Sequence, residues 1–217
     1  MCCRFLMEEV PELQPVLEAA NRSPLTEKWA GSARIVTRGE ARPADVVPVL
    51  APDRRGKKAA FPMKWGFAYP DGRSGLLINA RVETAAVRPA FRESWASRRC
   101  VIPAACYYEW EHITDAGGRK RTGGRYSIRP RGAAVTWLCG LYRIRNGLPE
   151  FVILTREPGE GIRFLHDRMP LILPDGYADE WIRPDRNPGE LLPAALTDMA
   201  YEKTPRAART DQTGIFI

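Results

Sequence analysis

Cys2, one residue from the start of the chain, carries the side chain on which covalent chemistry is most readily placed. Removal of Met1 would give Cys2 an α-amine and a thiol on one carbon skeleton. The amine titrates at about 7.7–8.0 and a thiol at about 8.5, so neutral amine and thiolate coexist near neutral pH. Such an amine condenses with an aldehyde to an imine, and the adjacent thiol then adds to the imine carbon to close a thiazolidine ring. Taken alone, Met1-Cys2-Cys3 reads more readily as small apolar residues leading into a strand, because buried cysteines are common and inert.

Three further polar groups bear on this. Asn79-Ala80-Arg81-Val82-Glu83 ends an apolar stretch, where a strand-to-helix junction would aim side chains into a cleft or simply cap a helix. Glu109 lies within Tyr107-Tyr108-Glu109-Trp110, an aromatic setting that would raise its pKa and suit it to proton transfer, unless it faces solvent. His166 opens His166-Asp167-Arg168-Met169-Pro170. It is the better catalytic candidate of the two histidines, since His112 sits in a charged, turn-flanked stretch; imidazole titrates where imine chemistry needs a proton shuttle. A hydrogen-bonded structural histidine is the plainer alternative.

The elements that would position these groups are mostly short strands. Hydrophobic periodicity predicts an amphipathic helix over 7–21, with Val10, Leu13, Leu17 and Ala20 on one face and Pro11 and Pro15 interrupting it. Strands are predicted at 33–37 and 46–50 around a loop at 39–43, then at 58–67 and 76–80, followed by a helix over 89–97 with Phe91 and Trp95 at i, i+4 spacing. A dense strand region follows, at 100–103, 105–110, 126–129, 134–142 and 151–155. Its connections include Asp115-Ala116-Gly117-Gly118 and the hairpin signal Asn146-Gly147. Beyond it come a helical turn at 159–165, a strand at 169–173 and a helix at 177–182. From Asn187 the chain is expected to be irregular until an edge strand at 213–217. Consecutive strands joined by tight turns make an α+β fold: a single domain over 1–217, mainly an antiparallel, curled or barrel-like sheet with inserted short helices.

Composition narrows the class. At 217 residues and 44% apolar, the chain can bury one core. No apolar run is long enough to span a bilayer, and the start lacks a basic segment followed by an apolar one, so a cytoplasmic location is expected. Five scattered cysteines without a Cys-x-x-Cys pair, and two histidines, argue against a disulfide framework or a metal site. Lys and Arg number 33 against 26 Asp and Glu, a net charge of +7 that favours anionic partners, nucleic acid first.

Together the motifs resemble the SOS response-associated peptidase (SRAP) family, whose members shield abasic sites in single-stranded DNA. The family pattern runs Met-Cys-Gly-Arg-Phe, Trp-Gly, Asn-Ala-Arg-x-Glu, Arg-Cys-x-x-Pro, Phe-Tyr-Glu-Trp and His-x-Arg-Met-Pro. Here the same order holds Met1-Cys2-Cys3-Arg4-Phe5, Lys64-Trp65-Gly66, Asn79-Ala80-Arg81-Val82-Glu83, Arg99-Cys100-Val101-Ile102-Pro103, Tyr107-Tyr108-Glu109-Trp110 and His166-Asp167-Arg168-Met169-Pro170. The resemblance implies that Cys2 forms a thiazolidine with the ring-opened abasic sugar and that Glu109 and His166 handle its proton transfers. It implies that Asn79 orients the chain start or the sugar, Arg4 and Arg81 hold flanking phosphates, Trp65 stacks beside the lesion, and Thr155 lies near it. No cofactor or metal is implied. The expected partner is single-stranded DNA containing abasic sites, bound by a monomer that is nucleoid-associated when on DNA, with lyase-like behaviour where the imine is eliminated.

Two other readings stay open: an N-terminal-nucleophile cysteine peptidase with Glu109 or His166 as base, and a non-enzymatic basic nucleic-acid binder. Three departures from the family pattern matter. Cys3 replaces the usual glycine and would restrict the backbone; Tyr107 replaces phenylalanine and adds a hydroxyl; Lys64-Trp65 replaces a pair of aromatics.

Overall fold

Val46 to Leu50 form an unbroken apolar run, and all five residues are buried, which requires a sheet covered on both faces. A computed structural model of the chain, which describes residues 2–8, 11–114 and 117–205, shows how this arises. Its elements, in chain order, begin with β1 (Phe5–Met7), α1 (Gln14–Asn21), α2 (Pro24–Trp29), β2 (Gly39–Ala41), β3 (Val46–Pro52) and β4 (Lys58–Trp65). There follow β5 (Phe67–Ala68), β6 (Leu76–Leu77), β7 (Asn79–Arg81), α3 (Val82–Ala85), α4 (Arg92–Ser97), β8 (Arg99–Ala104) and β9 (Cys106–Thr114). The remainder comprises β10 (Lys120–Pro130), β11 (Thr136–Arg145), β12 (Leu148–Arg156), β13 (Met169–Pro170), α5 (Tyr177–Ile182) and β14 (Met199–Thr204).

Five strands close on themselves. β11 pairs β8, β8 pairs β3, β3 pairs β4, β4 runs parallel to β12, and β12 returns to β11 through an antiparallel hairpin. The single parallel pairing is what an odd-numbered ring of otherwise antiparallel strands needs in order to close. β7 and β13 attach to β12. A second, antiparallel sheet runs β14-β10-β9-β1-β2. The fold is therefore α+β with antiparallel, barrel-like sheet and short helices, as the sequence predicts.

Alternation along the ring strands builds two cores. Ile102, Phe151, Ile153 and Trp65 face one way and meet Phe5, Tyr107 and Ile128 of the second sheet. Val101, Val152, Leu154 and Leu141 face the other way, against Ala85, Phe91, Trp181 and Ile182. Arg99, 0% exposed, ties α4 and α5 to β8: its guanidinium donates to the carbonyls of Trp95, Ala96, Trp181, Arg183 and Arg186. Several carbonyls at helix ends satisfy this buried cation without a carboxylate.

Several elements differ from expectation. The helix predicted over 7–21 is divided: Met7 ends β1, Pro11–Leu13 form a 3-10 turn, and α1 begins only at Gln14, with Pro15 in its first turn where proline is tolerated. Val10 lies outside the described residues. The strand expected at 33–37 is reduced to one bridge at Ile35, and the loop expected at 39–43 contributes β2, which pairs with β1. The strand expected at 213–217 lies outside the described residues, while the stretch expected to be irregular supplies β14 against β10. The helix at 177–182 and the Asn146-Gly147 hairpin are as expected, with φ of 52° and 75° at the two turn residues.

Candidate functional site

β1 carries the chain start into the second sheet. Phe5 pairs with Tyr107, and the Tyr108 amide donates to the Arg4 carbonyl at 2.9 Å, so the residues before Phe5 run alongside the Tyr107-to-Trp110 motif. Cys2 is 0% exposed. Asn79, at the start of β7, donates its side-chain amide to the Cys2 carbonyl at 2.9 Å. β7 is placed by its parallel pairing with β12, where Asn79 sits opposite Ile153 and Arg81 opposite Thr155. Three distant segments of sequence thus meet at Cys2.

Electrostatics at this point are set by burial. Glu109 is 3% exposed, and burial pushes its carboxyl up to about 7. Burial, followed by the charge of Glu109, raises the Cys2 thiol well above the ordinary range. Tyr107 is raised well above its usual value by burial and by its Cys2 and Glu109 neighbours. Two polar atoms here, Asn79 Oδ1 and the Tyr107 hydroxyl, are buried without a hydrogen-bond partner among the described residues. Groups left unsatisfied in a site are those a ligand can satisfy.

His166 lies beside the second histidine. The His112 and His166 rings are 4.3 Å apart between centroids, and the His112 amide donates to the Leu165 carbonyl. Burial lowers the His166 imidazole to about 4, with the nearby His112 ring acting in the same direction. Its Nδ1 accepts from the Arg168 amide at 3.0 Å and also lies 2.6 Å from an Asp167 carboxylate oxygen. The two contacts require opposite protonation at Nδ1. The neutral ring accepting from Arg168 is consistent with the lowered imidazole, and Asp167 is exposed enough to turn to water.

Arg168 joins two of the sequence motifs: its guanidinium grips both oxygens of Glu83 at 2.8 Å and donates to the Thr155 carbonyl at 2.6 Å. This fork-to-carboxylate contact holds Glu83 below the usual carboxylate range. The Thr155 side chain is sealed from solvent and its hydroxyl reaches the Ala80 carbonyl, so it braces β7 from behind and offers no surface to a ligand. Arg81 is exposed. Arg4 donates to the Cys3 carbonyl at 2.7 Å and lies 3.1 Å from Glu40, which also pairs with Arg125. A phosphate reaching Arg4 therefore competes with Glu40.

Trp65 requires a correction. Its ring is 0% exposed, 4.9 Å from Phe5 and 6.1 Å from Phe151 between centroids, and its indole N–H donates to the Ile78 carbonyl at 3.0 Å. No face is open to a base. The ring instead braces the two segments that converge on Cys2, β1 through Phe5 and the approach to β7 through Ile78. Gly66, with φ of +116°, makes the turn behind it, where a Cβ would meet the Leu76 side chain at 2.8 Å. Cys3 carries no comparable strain: among the described residues, positive φ outside glycine is confined to Ala44 and Asn146.

Sequence reasoning missed Glu40 and His112. Neither lies in a recognisable motif, and only the β1–β2 pairing and the loop before His166 bring them in. Among the described residues, no cluster of three or more His, Cys, Asp or Glu is placed to hold a metal, and no helix is long and apolar enough to cross a membrane.

Comparison with known proteins bears on the family and the fold. A family model for SOS response associated peptidase (SRAP) matches residues 1–208. The chain belongs to the SRAP family. Among curated relatives, the abasic site processing protein YoaM of Bacillus subtilis is 34% identical over 143 residues, 62% of this chain and 61% of the relative. The abasic site processing protein YedK of Escherichia coli is 32% identical over 123 residues, 56% and 54% respectively. The aligned stretch thus spans about three fifths or less of these relatives. Solved structures share the SRAP chain's fold. A Bacteroides thetaiotaomicron protein superposes with a TM-score of 0.70 at 17% identity over 94% of this chain and 92% of that one. A phage-related protein from Bordetella bronchiseptica superposes at 0.69 and 25% identity over 94% and 95%.

Proposed function

We propose that this chain processes abasic sites in single-stranded DNA by forming a covalent thiazolidine between Cys2 and the ring-opened sugar. The observation that carries the reading is the tether between Asn79 and Cys2, set beside a buried carboxyl that titrates near neutrality. The relatives named abasic site processing proteins supply the substrate class.

The chemistry balances without an oxidant or a metal. An abasic deoxyribose rests mainly as a closed hemiacetal; a general acid or base exposes the aldehyde, and Glu109 near pH 7 is present in both protonation states. The α-amine of Cys2, freed by removal of Met1, adds to the aldehyde and water leaves, giving the imine. The thiol S–H then adds across C=N: sulfur bonds to carbon and the proton passes to nitrogen. His166, neutral at working pH, is a second group able to move protons. Holding the sugar against the amine makes the condensation effectively intramolecular.

The raised Cys2 thiol favours this order of events over peptidase chemistry. Thiolate attack on an amide needs a lowered thiol pKa, which electropositive, partly exposed surroundings provide. Here burial and Glu109 act the other way, whereas in ring closure the adjacent imine nitrogen can itself take the thiol proton as sulfur bonds to carbon.

The test is denaturing electrophoresis after mixing the protein with a single-stranded oligonucleotide carrying one abasic site. A band that survives boiling in detergent, and is absent with Cys2→Ala, supports the proposal; an undiminished band with Cys2→Ala refutes it.

A further inference from the structure

Trp65 is buried, and the exposed aromatic surface in reach of the site lies elsewhere in the fold. Direct partners in an antiparallel sheet share a face. Tyr126 on β10 is the partner of Glu109 on β9 and of Lys203 on β14, and Ile128 is the partner of Tyr107 and of Tyr201. The face that buries Glu109 and Tyr107 under the core thus continues through half-buried Tyr126 to Tyr201 and Lys203 on the edge strand β14. Strands are spaced about 4.8 Å apart, so Tyr126 lies one strand and Lys203 about 10 Å from Glu109.

Phe164, two residues before His166, completes the surface. Its ring is 5.3 Å from that of Tyr201 and 6.1 Å from that of Tyr126, both edge-on, and Tyr126 and Tyr201 are 6.0 Å apart. Phe164 is 48% exposed and Tyr201 43%, and here the two exposed rings are in contact. Each edge-on contact covers part of one ring face, and the exposed remainder of Phe164 and Tyr201 is the surface left to a base. Lys203 lies across Gly124, where a Cβ would meet Lys203 Cε at 2.7 Å and the Tyr126 ring at 3.3 Å, so the cation is carried beside the rings. Arg163 is exposed next to Phe164. Glu202, between Tyr201 and Lys203, falls on the opposite face by strand alternation.

The geometry points to Phe164, Tyr201 and Tyr126 as a stacking platform for an unpaired base beside the lesion, with Lys203 and Arg163 on the adjoining phosphates. Exposed rings flanked by cations are the recognition chemistry of single strands, since every base offers a π-face. The inference rests on the reading of this chain as a binder of single-stranded DNA at abasic sites, and it names the surface that takes the neighbouring nucleotide.

The test uses a tetrahydrofuran abasic analogue, which cannot open to an aldehyde, so that binding is read without covalent chemistry. Fluorescence anisotropy compares a single-stranded oligonucleotide carrying one analogue with oligonucleotides in which the base on one side, then the other, is also removed. For the wild-type protein, removal of the base on one side is expected to weaken binding about tenfold to a hundredfold. The Phe164→Ala, Tyr201→Ala double variant should bind the single-analogue strand more weakly and lose that sensitivity; Lys203→Gln should flatten the salt dependence. Wild-type binding indifferent to both neighbouring bases, or a double variant with undiminished discrimination, overturns the platform. Failure of the proposed function shows separately, as absence of a crosslink between wild-type protein and a true abasic site.

Discussion

Asn79 donates to the carbonyl of Cys2 at 2.9 Å across 77 residues of sequence, and its own Oδ1 stays buried without a partner among the described residues. One side chain therefore fixes the chain start and presents an acceptor beside it. Asn79→Ala leaves the Cys2 carbonyl short of a donor and the segment before Phe5 loosely held. Crosslinking to an abasic oligonucleotide should slow on the order of tenfold to a hundredfold, the scale of a small misplacement of reacting groups. Stability should fall by about 1–3 kcal/mol. Single-turnover gel kinetics and urea unfolding read the two effects.

Glu109 links function to a stability cost. Its carboxyl titrates near 7 in the folded chain and at about 4.3 when unfolded. A raised folded pKa contributes stability that is complete below the unfolded value and is lost as pH rises through the folded one. Glu109→Gln should therefore be more stable than the wild type at pH 8, by on the order of 3–4 kcal/mol, with the gain vanishing below about pH 4. The same variant should crosslink far more slowly. Urea unfolding across this range, beside crosslinking rates, checks both.

The Tyr107 hydroxyl is buried without a partner among the described residues. Tyr107→Phe removes an unsatisfied polar group and should raise stability by about 1 kcal/mol. A drop on thermal or urea unfolding would contradict the absence of a partner.

Trp65 acts by bracing. Trp65→Ala should cost about 3–5 kcal/mol, as large core truncations do, and slow crosslinking through displacement of Phe5 and Ile78. The salt dependence of DNA binding should be unchanged, because the ring meets no phosphate and no base. A stable Trp65→Ala protein with weakened DNA affinity would contradict this placement.

Legibility in the sequence followed the physics of each feature. Asn146-Gly147 and the helix at 177–182 were readable because local chemistry decides them. Cys2, Glu109 and His166 are types suited to nucleophilic chemistry or proton transfer, Asn79 joins them only through the family resemblance, and the fold brings Asn79 and Glu109 to Cys2 and sets His166 against His112. The orientation of Trp65 was not readable, because tertiary packing decides which face of β4 is covered. Glu40 and the Tyr126, Phe164 and Tyr201 cluster depend on strand register, and β14 lies in a proline-broken stretch whose pairing partner is about 75 residues away.

The most direct measurement is intact-mass and peptide mass spectrometry of the product formed with a single-stranded abasic oligonucleotide. The account predicts one adduct, equal to protein without Met1 plus oligonucleotide less one water, mapping to the peptide that begins at Cys2. An adduct on another residue, or one formed with Met1 still attached, would contradict it.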